Sequence, residues 1–146
     1  MKSKKRKPKQ KSLKQLKKDA WHVFSRFIRL RDSLKTMGAA DRCKCVTCGG
    51  IFETWHGSCI QAGHFVPASH SSSVYFDERG VHGQCPRCNK WLGGNWPKYL
   101  EFMQKEYGQK VIDYILKERN FVHKFTRDEL TAIIDKCETY LEAHGC

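Results

Sequence analysis

Cys45-Val-Thr-Cys48-Gly49-Gly50 and Gln84-Cys85-Pro-Arg-Cys88-Asn89 frame this chain, and Ala62-Gly63-His64-Phe65 lies between them. Each Cys-x-x-Cys knuckle presents two sulfurs to one ion. Two knuckles 36 residues apart supply the four thiolates that zinc accepts tetrahedrally. The spacing therefore predicts a structural zinc held by Cys45, Cys48, Cys85 and Cys88. The histidine between the knuckles and the asparagine directly after the last cysteine are not needed for that zinc, which makes them the candidate working residues. A neutral imidazole at His64 suits a general base near neutral pH. The amide oxygen of Asn89 is a hard ligand suited to magnesium or manganese. Both residues also admit a structural reading, His64 packed beside the zinc and Asn89 capping a following helix.

Outward from the knuckles, charge is the next signal. The 146 residues carry a formal +12, yet residues 1–18 alone hold ten Lys or Arg and no acid, leaving only +2 for the remainder. A basic arm on a nearly balanced body points to a polyanion such as DNA, the alternative being a solubilising tail. The arm, residues 1–12, lacks apolar periodicity and is expected to be disordered until it meets a partner. No apolar run is long enough to span a bilayer and no apolar signal segment follows the charged start, so a cytosolic protein without membrane contact is expected. Cys43, Cys59, Cys137 and Cys146 are left over as free thiols.

From Leu13 the pattern becomes helical. Leu13, Leu16, Ala20, Phe24, Phe27, Ile28 and Leu34 recur at three- and four-residue steps, with Trp21, Val23 and Leu30 widening the stripe, so an amphipathic helix is predicted over about residues 12–36. Lys14, Lys17, Lys18, Arg26, Arg29 and Arg31 lie on or beside its other face and are candidate nucleic-acid contacts. Past the first knuckle, Ile51-Phe52 and the stretch from Trp55 to Ile60 read as a short hairpin. Val74-Tyr75-Phe76 reads as strand-like, and Val81 to Gln84 leads into the second knuckle. Helices are expected from Asn89 with an interruption at Gly93-Gly94, from Pro97 to Tyr107, over about 109–119, and after the capping box Thr126-Arg-Asp-Glu129. Trp91 and Trp96 are expected in the core, with base stacking as the alternative. The chain thus divides into a basic arm (1–12), a basic helix (13–42), a knuckle-bearing core (43–96) and C-terminal helices (97–146).

The order and spacing of these fragments resemble a known family. Trp21…Phe24-Ser25-Arg26-Phe27-Ile28-Arg29-Leu30-Arg31-Asp32, Cys45-Val-Thr-Cys48-Gly49, Ala62-Gly63-His64-Phe65, Phe76-Asp77-Glu78 and Val81-His82-x-Gln84-Cys85-x-x-Cys88-Asn89 together are similar to the phage NinG (Rap) recombination family. The knuckles with Gly-His-Phe also resemble the zinc-bearing HNH nucleases, endonuclease VII among them. That resemblance implies an α+β fold, a small zinc-bound ββα-metal (HNH/treble-clef-like) core flanked by N-terminal and C-terminal helices. It implies a metal-dependent endonuclease acting on branched recombination intermediates such as Holliday junctions, with His64 as base, Asn89 on the catalytic Mg2+ or Mn2+, and a homodimer to cut symmetrically. Two positions depart from the nuclease pattern. Gly63 stands where an acid or second histidine precedes the base, and Gly80 stands where an asparagine steadies it. His82 is the first substitute ligand for the catalytic metal, with Asp77 and Asn95 behind it. A zinc-dependent DNA-binding module without catalysis, a nicking HNH enzyme without branch selectivity, and a basic protein- or RNA-binding factor are the alternatives.

Overall fold

The computed structural model describes residues 6–70 and 72–146; the first five residues of the basic arm lie outside them. The amphipathic stripe forms a single helix, α1 (Leu13–Met37), started by the Ser12 side chain accepting from the Gln15 N–H and stopped by left-handed Gly38. Two small antiparallel pairs follow. The first joins β1 (Arg42–Lys44) to β2 (Ile51–Glu53) around the first knuckle. The second joins β3 (Gln61–His64) to β4 (Val81–Gln84), with Gly63 opposite His82 and His64 opposite Val81. A single π-helical turn over Arg87–Trp91 carries the end of the second knuckle, and α2 (Trp96–Glu106), α3 (Gln109–Glu118) and α4 (Arg127–Ala143) complete the fold. The Thr126–Glu129 capping box forms as its sequence requires.

Three apolar clusters hold these elements. Phe24, Phe27 and Ile28 of α1 pack with Val81 of β4 and Cys137 of α4, so the first and last helices share one core. Phe65, Val66 and Val74 meet Tyr99 and Met103 of α2 and Ile112 and Ile115 of α3. Cys43 and Ile60 pack against three of the knuckle cysteines. A polar staple ties α1 to β4: buried Asp32 accepts from the Gly83 N–H at 2.7 Å and from Arg31 Nε at 2.7 Å. Arg31 in turn donates to the Glu78 and Val81 carbonyls, each at 2.8 Å.

Local structure departs from expectation in two places. The strand partner of Ile51–Glu53 is Arg42–Lys44, not Trp55–Ile60, because the knuckle turn between Cys45 and Gly50 folds the chain straight back (Cys45 N–H to Gly50 carbonyl, 2.8 Å). Val74-Tyr75-Phe76 is no strand. A short 3-10 turn ends at Val74, and the next two aromatics then serve different neighbours, Tyr75 tilting against Trp21 and Phe76 meeting Phe24 edge-on.

Candidate metal centre and imidazole cleft

The four knuckle cysteines converge. The sulfurs of Cys45, Cys48, Cys85 and Cys88 all lie within 4.8 Å of one another, with Cys48 and Cys85 3.8 Å apart. Four sulfurs bonded to one zinc at about 2.3 Å would stand about 3.8 Å apart in a tetrahedron, so the cluster fits a metal ion such as zinc. Its surroundings fit thiolates as well. The Cys88 N–H donates to Cys85 Sγ at 3.4 Å, Asn95 Nδ2 donates to Cys88 Sγ at 3.6 Å, and the Thr47 hydroxyl lies 3.2 Å from Cys45 Sγ. Burial works to raise the Cys45 thiol, but the Thr47 hydroxyl and the N–H groups of Cys48 and Cys85 outweigh it and bring it down to about 7. Burial and the neighbouring sulfurs push Cys85 up to about 12. Four such groups shed their protons together only when a cation takes their charge. Asn95, a reserve candidate for the catalytic metal, belongs to this cluster instead.

His64 ends β3 beside that scaffold. Its Nε2 lies 2.9 Å from the Tyr75 carbonyl. A carbonyl only accepts, so Nε2 carries the proton and Nδ1 keeps its lone pair. The ring stacks on Trp21 (centroids 4.8 Å, 19° between planes) and tilts against Tyr75 at 4.8 Å. Burial draws its pKa below the ordinary histidine value, only partly opposed by the Tyr75 hydrogen bond. The imidazole is therefore neutral at pH 7, the form a base needs.

A cleft of about 360 Å3 brings His64 together with Asn89, Trp21, Tyr75, Trp96 and the Gly93-Gly94 turn. Gly93 (φ +57), Gly94 (φ +91) and Asn95 (φ +48) are successive left-handed residues, which bend the chain back so that Gly94 N–H reaches the Cys88 carbonyl at 2.9 Å. Asn89 is held by its own amide, Nδ2 donating to Gln61 Oε1 at 2.9 Å. It does not act as a side-chain cap, and the turn it sits in is capped by backbone alone. A larger groove, about 760 Å3, adjoins the cleft through Pro67 and Ala68 and carries Lys17 and Arg119.

His82, Asp77 and two of the arginines stand elsewhere. Because side chains alternate along a strand, His82 pairs across from Gly63 and points to the opposite face from His64. Both its nitrogens are taken: Nδ1 lies 3.1 Å from the Tyr99 hydroxyl and Nε2 2.7 Å from that of Tyr107. Tyr99 in turn donates to the Gly63 carbonyl at 2.7 Å. The expectation of His82 as a metal ligand is thus corrected to a buried hydrogen-bonding role. Asp77 is occupied by Arg79, with contacts of 3.0 and 2.8 Å, and lies outside the cleft. Arg31 is spent on the Asp32 staple. Arg29 donates to the Thr54 carbonyl at 3.2 Å and lies over the Trp55 ring, which makes it a brace for the loop after β2. Lys14 and Lys18 are exposed, and Lys17 stands over the Tyr75 ring at 4.6 Å. Trp91, expected in the core, is 86% exposed.

The residues that sequence reasoning missed are those acting through main chain or through distant partners. The Tyr75 carbonyl carries no side-chain signal at all. Trp21 reads as one more member of an apolar stripe, although its place at the stripe's edge marks it as able to reach past the core.

The family model described as bacteriophage lambda NinG protein matches residues 1–144. The chain belongs to the NinG family. It is 30% identical over 126 residues to protein ninG of Escherichia phage 933W, covering 86% of this chain and 56% of that one. To protein ninG of Escherichia phage lambda it is 30% identical over 117 residues, covering 80% and 50%, and to that of Salmonella phage P22 29% identical over 117 residues, covering 80% and 51%. The chain thus spans about half the length of the curated NinG relatives it matches. No solved structure matches it. Among the described residues no helix is long and apolar enough to cross a membrane.

Proposed function

We propose that this NinG-family chain is a metal-dependent DNA endonuclease of the HNH kind, acting on branched recombination intermediates. The observation that carries the reading is the His64 imidazole, held in one tautomer by the Tyr75 carbonyl at 2.9 Å, with an unspent Nδ1 in the cleft that Asn89 shares. In this reading β3, β4 and the turn bearing Asn89 are the ββα-metal unit. Zinc on Cys45, Cys48, Cys85 and Cys88 fixes the strand and the turn relative to each other.

His64 Nδ1 takes a proton from the attacking water, and the Tyr75 carbonyl stabilises the imidazolium that results by accepting from Nε2. Stacking on Trp21 keeps the ring from turning. A magnesium or manganese ion, with Asn89 among its ligands, would stabilise charge on the phosphate and the leaving oxygen. The groove carrying Lys17 and Arg119 continues from the cleft and suits the DNA backbone. Lys14, one turn before Lys17 on α1, extends that basic surface, and the arm before it adds sequence-independent attraction. Exposed Trp91, beside exposed Arg87 and Lys90, is placed to stack on an unpaired base at a branch. Symmetric cutting of a four-way junction requires two such sites, hence a homodimer.

A specific observation favours a second reading, a zinc-dependent DNA-binding module without catalysis: among the described residues no carboxylate lines the cleft. Cleavage of a labelled four-way junction beside a linear duplex of the same sequence, with and without magnesium or manganese, separates the two. Metal-dependent junction cutting that disappears in His64→Ala is expected. Tight binding by the wild-type protein without cutting would establish the binding module, and equal cutting of both DNAs would remove branch selectivity.

A further inference from the structure

Gln84 is fully buried, and its Oε1 is the one buried side-chain polar atom without a hydrogen-bond partner among the described residues. Its nitrogen is well satisfied, Nε2 donating to the Gly94 carbonyl at 2.8 Å and approaching the Thr47 hydroxyl at 3.2 Å. Since the Gly94 carbonyl only accepts, the amide has one sensible orientation, with nitrogen toward Gly94 and oxygen toward Gly63. A Cβ at position 63 would overlap Gln84 Oε1 and would stand 3.1 Å from Asn89 Oδ1. The missing side chain of Gly63 is therefore the space on which two amide oxygens converge. They lie within about 5 Å of one another, close enough for a single hard cation to take both. Asn89 is oriented like Gln84, its nitrogen given to Gln61 and its oxygen left over. Gln84 Oε1 is fully buried, and leaving it without a donor is costly unless a cation or a donor meets it, while Asn89 Oδ1 stands beside it on the open cleft.

We propose that Gln84 Oε1 and Asn89 Oδ1 are paired ligands of a divalent cation beside the His64 cleft, which Asn89 lines and behind which Gln84 is buried, with glycine at 63 required to make room for the Gln84 amide. The proposal rests on the endonuclease reading for what the cation does, not for whether it binds. It also accounts for a cleft without a carboxylate: the oxygen that an acid at position 63 would bring from β3 is delivered from β4 instead. Two neutral oxygens make a weak site. Water and a DNA phosphate complete the shell, so affinity for the cation rises when DNA is present.

The test uses the zinc-loaded 146-residue chain, 15N-labelled and titrated with Mn2+, reading paramagnetic broadening of backbone and side-chain amide signals. Broadening centred on residues 63, 84 and 89 is expected. Gln84→Met, of similar volume without the oxygen, should weaken it about tenfold or more, as loss of a metal-site partner does. Because Gln84→Met also gives up the bond to Gly94, Asn89→Ala serves as a second variant that leaves Gln84 in place, and the same weakening is expected. If broadening is absent in the wild type, or unchanged in both variants, the cation assignment is overturned, and Oε1 is satisfied by a water or by the Gly63 Cα–H. Junction cleavage with Mn2+ bound elsewhere would overturn the ligands and leave the endonuclease standing. Mn2+ bound at the two amides without cleavage would support the ligands and end the endonuclease reading.

Discussion

His64 and His82 sit on paired strands one rung apart and face opposite sides of the same two-stranded unit. His82 is embedded in a polar chain with a single consistent direction. Tyr99 donates to the Gly63 carbonyl, so its oxygen accepts from His82 Nδ1–H, and His82 Nε2 then accepts from the Tyr107 hydroxyl. Burial first, then the charges of Arg31 and Lys35, hold His82 well below the ordinary histidine range. His64 has one nitrogen tied to main chain and the other left over. What separates His64 from His82, and suits it to the proposed role of base, is thus the unspent nitrogen, not burial or neutrality, which the two share.

The largest effect that would sharpen this contrast is on rate. His64→Ala should cut the rate of junction cleavage by about 10²–10⁴-fold, the usual contribution of a general base, while leaving zinc content unchanged. His82→Phe should behave in the opposite way. It orphans the Tyr107 hydroxyl and half of the Tyr99 bonding, so thermal or denaturant unfolding should show a loss of about 2–4 kcal/mol with cleavage still measurable. Equal loss of cleavage in both variants, with both still folded, would break the distinction. Next in size, Trp91→Ala should leave stability within about 0.5 kcal/mol, as expected of an exposed side chain. Its binding to a junction should weaken by about 1–3 kcal/mol, read by titration against the linear duplex.

The smallest effect is on pH dependence. Each histidine has a folded-state pKa below its unfolded value, so the unfolded chain binds more protons in the acid range. Stability from both is full above about pH 6.5 and is lost as pH falls toward the folded-state values. Cleavage should be flat above that pH and decline below it as His64 protonates. In an NMR titration the His64 ring signals should move first on acidification, and those of His82 only at lower pH. The reverse order would overturn the account in which burial and the nearby Arg31 and Lys35 charges hold His82 lower than His64.

How much of this was legible depends on the range of the interactions. The α1 helix and the Thr126–Glu129 capping box were readable because their signals lie within a few residues of where they act. The two knuckles were readable although 36 residues apart, since each half carries a recognisable local spacing. Placing His64 and Asn89 beside them followed from the same spacing. The role of His82 was not readable, because its partners come 17 and 25 residues later on α2 and just beyond it. Nor was the loss of Arg29 and Arg31 from the basic face, since the acceptors that draw them inward include main-chain carbonyls of other elements, which no side-chain pattern reveals.

By itself, then, the sequence determined the long basic helix, the four-thiolate cluster and the pairing of an imidazole with an amide beside it, all set by local periodicity and by knuckle geometry. The tertiary structure alone decided which histidine keeps a free nitrogen, that Trp91 faces solvent, and that Gly63 leaves room for Gln84. Those depend on which strand faces meet which helices, and on carbonyls and cavities that exist only once the chain has closed on itself.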